Sequence, residues 1–337
     1  MSASRGPFAT NMNDLVSILI PCHNAERWVG QAVESALTQT YSPVEVIVDD
    51  DGSGDGSLEV LKRFRDRIRL ERGPNRGGNV ARNRLLELAS GEWVQYLDAD
   101  DYLLQDKVAS QMAYLREHPD TDVQYGLVTK EDWTEEGVSR DLQVIPEPRD
   151  PWILLARWYL PQTGGPLWRK SALLDVGGWK PNQPCCQEHE LYLRLLTAGK
   201  RFAYCPHNGA IYRIWSEGTV CHRDKPQTRR QRLAILDRGE AFLRAAGDFT
   251  PARQSAFSMS RFQMARMTWP EDRAEAMRIV DALLQSEPGF RPLRNQPGGH
   301  HPPASYRMLW RLAGFSVAER AAEWSRFLRR APTRGAS

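Results

Sequence analysis

VSILIPCHNAE (Val16–Glu26) sets a nearly continuous apolar run against an abrupt polar end, and that contrast decides the fold class. A run of this kind, with no sustained alternation, reads as a strand buried on both faces, as in a parallel sheet. Within Arg27–Thr40, Trp28, Val29, Ala32, Val33, Ala36 and Leu37 recur at helical spacing. VEVIVDDDGS (Val44–Ser53) then supplies a second strand with an acidic end, completing one βαβ unit. A helix around Leu58–Arg67, a Gly/Asn-rich stretch at Gly73–Asn79 and a helix over Ala81–Ala89 follow. The strand Trp93–Leu97 ends in Asp98-Ala99-Asp100-Asp101. This alternation predicts an α/β fold with a doubly wound, mostly parallel sheet.

Outward from that core, residues 122–225 mix short strand-like pieces with Pro/Gly turns and a helix at Glu188–Ala198. From about Gln227 the pattern becomes Arg- and Ala-rich helix, near 229–246, 251–267 and 271–285, then a Pro/Gly/His linker at 288–303 and a last helix pair. The expected domains are a flexible leader at 1–14, a nucleotide-binding domain at 15–225 and a helical extension at 226–337. With 45 basic against 42 acidic residues, the chain has no whole-molecule field for nucleic acid, so an anionic partner must be met locally. Five cysteines are an odd set that forms no disulfide framework, which favours a reducing compartment. The leader lacks the basic and apolar regions of a signal peptide, and no apolar run approaches the ~18 residues of a membrane span. The expected location is cytoplasmic, or peripheral at the inner face of the membrane.

Ligands of open α/β sheets bind beyond the carboxyl ends of the strands. Asp98 and Asp100 stand there as two like charges, poor as structure but suited to a divalent cation that bridges phosphate oxygens, Mg²⁺ or Mn²⁺. A solvated acidic turn is the plainer account of such a pair on its own. Asp50 and Asp51, with Ser53 behind them, can accept from a base N–H or ribose hydroxyls; an Asp-Gly turn is the alternative. Pro21, His23, Asn24 and Glu26 line the first loop, where Asn24 also suits a helix N-cap. Asn75–Asn83 brings Arg76 and Arg82 before a helix, a pairing able to contact a diphosphate. No Gly-x-Gly-x-x-Gly follows the first strand, which excludes a dinucleotide oxidoreductase of the usual kind. Cys185, Cys186, His189, Cys205, His207, Cys221 and His222 concentrate soft ligands, yet only Cys186 and His189 approximate zinc spacing; buried free thiols fit better.

SILIPCHNAERWVGQAVESALTQTY, VDDDGSGDGS and NRGGNVARNRLLELASGEWVQYLDADD resemble, in order and spacing, the N-terminal half of family 2 glycosyltransferases of the GT-A type, whose domain is Rossmann-like. The similarity covers about residues 15–105 and continues more loosely to about 220, through Pro166–Arg169 and Val176–Trp179. It implies an inverting, metal-dependent transferase that moves a sugar from a nucleotide-diphosphate sugar, a UDP-sugar foremost, to a glycan, lipid-linked or other hydroxyl acceptor. It also implies that Asp50, Asp51 and the first loop hold the nucleotide, while Asp98 and Asp100 handle ribose, metal and diphosphate. Gln187–Arg194 resembles the block Glu-Asp-x-Glu-Leu-Trp-Leu-Arg, which puts Glu188 where the family has an Asp base and Glu190 where it has a helix-facing structural acid. Glu188 also suits the first turn of a helix on electrostatic grounds alone. Tyr212-Arg213-Ile214-Trp215 resembles Tyr-Arg-x-His, with Trp215 in the place of the His. These departures leave a second reading, an inactive member that binds a nucleotide sugar or a partner protein.

In the tail, Leu309, Trp310, Leu312, Phe315, Val317, Trp324, Phe327 and Leu328 are interleaved with Arg307, Arg311, Arg320, Arg326, Arg329 and Arg330. Basic amphipathic helices of this kind lie in anionic membrane interfaces or pack back on the catalytic domain with their arginines in solvent, and both expectations are carried forward.

Overall fold

The computed structural model describes residues 14–215, 224–292 and 302–330, with side chains through Arg326. It divides into two compact units, 1–145 with 159–235, and 146–158 with 236–337. Residues 146–158, which lie inside the expected span 15–225, thus cluster with the C-terminal helices.

The first unit is built on one sheet. Its strands are β1 (Val16–Cys22), β2 (Val44–Asp51), β3 (Arg69–Gly73), β4 (Trp93–Tyr96), β5 (Tyr102–Leu103), β6 (Val123–Thr134), β7 (Gly137–Gln143), β8 (Leu167–Arg169) and β9 (Phe202–Ile214). They run in the order β3-β2-β1-β4-β8-β6-β9-β5, with β7 paired to β6. From β3 to β4 every pairing is parallel. Ile18, Leu19 and Ile20 of β1 and Ile47 and Val48 of β2 have no exposure, as strands covered on both faces require. Between β1 and β2, α1 (Val29–Leu37) turns Val29, Ala32, Val33 and Ala36 onto the sheet at i, i+3, i+4 and i+7. The far half is different: β8 is antiparallel to both β4 and β6, and β5 is antiparallel to β9. The edge strand β3 falls between the helix expected at Leu58–Arg67 and the Gly/Asn-rich stretch from Gly73, where no strand was expected, because its RLERG carries no apolar period.

Strand order reverses at β1, which has β2 on one side and β4 on the other. β1 and β2 end nearly level, Cys22 opposite Asp50, while β4 stops at Tyr96 opposite Leu19, three residues earlier; the strands being parallel, the loops after all three leave from the same end of the sheet. That is the switch point at which an open sheet leaves a crevice. Around it stand α2 (Ser57–Lys62), α3 (Gly78–Leu88), α4 (Lys107–Glu117), α6 (Lys170–Asp175) and α7 (Gln187–Thr197).

The second unit is helical: α5 (Pro151–Arg157), α9 (Pro251–Thr268), α10 (Arg273–Ser286) and α11 (Ala304–Arg330), reached through α8 (Lys225–Ala245). Gly314, at φ 79°, breaks α11 into two pieces. Phe262, Trp269, Phe290, Tyr306, Trp310 and Phe315 form its aromatic core, with Phe262 and Trp310 edge to face at 5.1 Å. Trp310 and Phe315 are therefore core residues of this unit. Among the described residues no helix is long and apolar enough to cross a membrane.

Candidate active site

The loops after β1 and β2 are laced by reciprocal hydrogen bonds. Asn24 N–H donates to Ser53 Oγ at 3.0 Å, and Asn24 Oδ1 accepts from Gly54 N–H at 2.8 Å. Glu26 accepts from Gly56 N–H at 3.0 Å, while its own N–H donates to Asp55. Asn24 sits at φ 51°, and α1 begins at Val29 after Trp28, so Asn24 is a bridge between loops and not a helix cap. His23 contacts the Asp51 carbonyl through Nδ1 at 2.9 Å and the Asn75 amide through Nε2 at 2.9 Å. The lattice ties the first loop to both neighbours, and a cavity of about 550 Å³ opens beside it, walled by Asn24, Glu26, Trp28, Asp55 and Trp215.

The three aspartates ending β2 have separate fates. Asp49 is paired with Arg84 at 2.7 Å, which also holds Glu71. Asp51 spends both oxygens on Arg76 N–H (2.8 Å) and Gly77 N–H (2.9 Å), so it pins the glycine-rich loop at the start of α3. Gly52 must be glycine: it lies at φ 69°, and a Cβ there would come within 2.6 Å of the Asn75 nitrogen. Asp50 is fully buried, yet only its Oδ1 is used, by Ser53 N–H at 3.1 Å. Its Oδ2 receives no hydrogen bond and has the Arg72 Nε at 3.4 Å. A buried carboxylate oxygen with spare capacity beside a crevice is a ready acceptor for a ligand N–H or O–H.

After β4 the charge gathers. Asp98 Oδ1 accepts from Arg82 Nη2 at 2.7 Å. Burial would depress the Arg82 guanidinium, but Asp98 and then Glu188 overcome this and hold it above its ordinary value, so one cation serves both acids. Asp100 is pushed up by burial and by the charge of Asp98; its Oδ2 accepts from Trp215 Nε1 at 3.0 Å. Asp101, buried, is pushed up further by burial and by Asp100 and Asp98, and accepts from the Arg213 backbone N–H at 2.8 Å. Asp100 and Asp101 are thus costly to keep ionised beside Asp98, a load that a divalent cation would relieve.

Arg213 is the fulcrum beneath them. Its guanidinium lies 4.5 Å from the Trp28 ring and 4.8 Å from Tyr102, and donates to the Asp100 carbonyl at 2.6 Å and to Gln31 at 2.7 Å. Glu131 of β6 faces it at 3.6 Å while accepting from Tyr102 and Arg140. Asp101, Glu131 and Thr163 were not picked out from the sequence as site residues; Asp101 lay in the acidic run, but Glu131 and Thr163 carried no motif.

At the start of α7, Glu188 is half-buried and its Oε1 accepts from the buried Thr163 hydroxyl at 2.6 Å. Glu190 is occupied by Lys180 and by Arg194 at 2.8 Å; these pairs outweigh its burial and draw the carboxyl below its ordinary range. Arg194 in turn donates to the carbonyls of Val176 and Gly178. Of the two acids, Glu188 is held by the Thr163 hydroxyl and Glu190 ties α7 to the segment before it.

Among the described residues no three His, Cys, Asp or Glu side chains gather into a metal-binding group. Cys185, Cys186 and Cys205 are buried, whereas Cys221 and His222 lie outside the described residues. Two carboxylates such as Asp98 and Asp100 are nevertheless the usual protein share of a Mg²⁺ site, in which substrate phosphates complete the shell.

Residues 17–167 match the family model of glycosyl transferase family 2. An uncharacterized glycosyltransferase of Haemophilus influenzae is 39% identical over 105 residues, covering 30% of this chain and 42% of its own length. The Escherichia coli enzyme named UDP-Glc:alpha-D-GlcNAc-diphosphoundecaprenol beta-1,3-glucosyltransferase WfaP is 35% identical over 104 residues, 30% and 41% of the two lengths. The match thus spans less than half the length of these curated relatives. In structure, S. aureus TarS 1-349 in complex with UDP superposes with a TM-score of 0.60 at 17% identity, over 92% of this chain and 91% of that one. The same protein with UDP-GlcNAc gives 0.56 at 16% identity, over 93% and 91%. The likeness to TarS is one of fold, and the likeness to the curated relatives one of sequence; it is the segment 17–167 that matches glycosyl transferase family 2.

Proposed function

We propose that this protein is a glycosyltransferase that moves a sugar from a nucleotide-diphosphate sugar to an acceptor hydroxyl with inversion. The observation that carries the reading is the acidic turn that ends β4, where Asp98 pairs with Arg82 at 2.7 Å and Asp100 with Trp215 at 3.0 Å, with the charge of Glu188, from the start of α7, also felt at Arg82. Donor-side and acceptor-side acids belong to one electrostatic unit. Asp50 accepts from the base or ribose through its spare Oδ2, and the lattice of Pro21, His23, Asn24, Glu26 and Ser53 shapes the wall against which the nucleoside lies. Asp51 acts indirectly, by holding the Gly77 loop open at the helix end. Asp98 and Asp100 would hold Mg²⁺ or Mn²⁺, which neutralises the diphosphate and its charge as leaving group. Glu188, oriented by Thr163, takes the proton of the attacking hydroxyl.

A UDP-sugar is the favoured donor, since TarS is described with UDP and with UDP-GlcNAc and the name of WfaP specifies UDP-Glc. WfaP also supports a lipid-linked acceptor, which would place the work at the inner face of a membrane and in glycoconjugate synthesis. The test is nucleotide release from a panel of UDP-, GDP- and TDP-sugars with a mixed acceptor pool, with and without chelator. Release from one donor class that stops on chelation supports the reading. Release from none, with donor still bound, would favour the inactive nucleotide-sugar-binding alternative.

A further inference from the structure

The second unit carries a surface that the transfer chemistry does not use. Residues 288–337 contain nine arginines and no lysine against two acids, Glu319 and Glu323, in a chain that is otherwise close to neutral. Glu319 is buried and committed to Arg266 at 2.7 Å and Tyr306 at 2.7 Å, so it neutralises little of the outer face. Arg291, Arg307 and Arg311 line one groove of about 870 Å³ with Pro292, Met308 and Leu312. Arg307 donates to the Pro302 carbonyl and Arg291 to the Phe290 carbonyl; no carboxylate among the described residues pairs with any of the three. Met308 and Leu312, one helical turn apart, are 59% and 76% exposed, while Tyr306, Trp310 and Phe315 of the same helix are buried. The helix is thus satisfied on its inner face, and its outer face still presents apolar side chains beside uncompensated guanidiniums.

We propose that this groove is a docking site for an anionic phospholipid surface, in which Arg291, Arg307 and Arg311 grip headgroup phosphates and Met308 and Leu312 enter the boundary below them. Charge complementarity selects the occupant. Guanidinium forks match phosphate oxygens bidentately, and three without a carboxylate partner make a site for an anion. The neighbouring exposed pair matches the shallow apolar layer under the headgroups, which a soluble polyanion does not offer. The proposal is independent of the transferase reading: it uses no residue of the acidic site.

The test is co-sedimentation of the full chain with vesicles of phosphatidylglycerol and phosphatidylcholine, against phosphatidylcholine alone. Wild-type protein binds the anionic vesicles in low salt, leaves them as salt rises, and ignores the neutral ones. The double variant Arg307→Gln/Arg311→Gln partitions about 30-fold more weakly, at roughly fivefold per arginine. Leu312→Asp weakens binding as well, and Arg320→Gln, an exposed arginine outside the groove, leaves it within about twofold. Circular dichroism confirms that the variants are folded. Wild-type protein that stays in the supernatant on anionic vesicles overturns the proposal, as does a double variant that binds like wild type. If vesicles are ignored and the double variant instead changes the sedimentation coefficient of the protein alone, the face belongs to a second copy of the chain and the proposal falls.

Discussion

The indole Nε1–H of Trp215 donates to Asp100 Oδ2 at 3.0 Å, and the Trp215 ring leans on Trp28 with centroids 6.1 Å apart. A tryptophan cannot ligate a metal, but it can fix the rotamer of a carboxylate that does. Hydrogen bonds to ligating side chains are typically worth 10- to 100-fold in metal affinity. Trp215→Phe, which keeps the aromatic wall and removes the donor, is therefore expected to weaken Mn²⁺-promoted UDP binding by about tenfold or more. Its metal-free UDP affinity and its melting temperature should match wild type. Calorimetry that finds the Mn²⁺ increment unchanged in this variant would separate Trp215 from the metal.

Glu188 and Glu190 separate by readout. Glu188→Gln keeps the Thr163 hydrogen bond but cannot take a proton, so turnover should fall by ~10²-fold or more with donor affinity intact. Thr163→Val should lower turnover more mildly by freeing the Glu188 rotamer. Glu190→Gln leaves Arg194 and Lys180 without their acid, and its cost should appear in stability, about 3 kcal/mol in urea unfolding. Near-normal turnover in Glu188→Gln, with a large loss in a still-folded Glu190→Gln, would transfer the role of base to Glu190.

Much of this site was legible in the sequence because its residues sit at strand ends, and apolar runs mark where strands end. Val44–Val48 and Trp93–Leu97 gave themselves away by their apolar runs, and the places of Asp50, Asp98 and Asp100 just beyond them followed. Asp51 was legible as an acid but not as a clamp, since its partners Arg76 and Gly77 are backbone groups 25 residues or more away. Glu131, Thr163 and the antiparallel half of the sheet left no trace, because pairing of β8 between β4 and β6 depends on long-range register and not on local period. The tail shows the same limit in reverse. Its apolar residues were visible, but that Tyr306 and Trp310 before the break at Gly314 and Phe315 just past it all face Phe262 depends on long-range packing.

His189 offers a pH signature. Burial, with the charge of Arg232, pushes its imidazole down to about 3 from an ordinary 6.5, so the folded state holds it neutral while the unfolded chain protonates it. Its contribution to stability is complete above pH 6.5 and is lost as pH falls toward 3, at up to about 1.4 kcal/mol per unit. Between pH 6.5 and 5, before most carboxylates titrate, urea-derived stability should fall less steeply in His189→Gln than in wild type. Equal slopes would mean that His189 is protonated in the folded protein.

The most direct measurement is calorimetric titration of UDP into wild-type protein and into Asp100→Ala, each with Mn²⁺ and with chelator. The account expects wild-type binding that tightens at least tenfold with Mn²⁺, and an Asp100→Ala protein whose residual affinity is the same in both conditions. An Asp100→Ala protein that keeps the full Mn²⁺ enhancement, or a wild type that binds UDP equally well without metal, would contradict it.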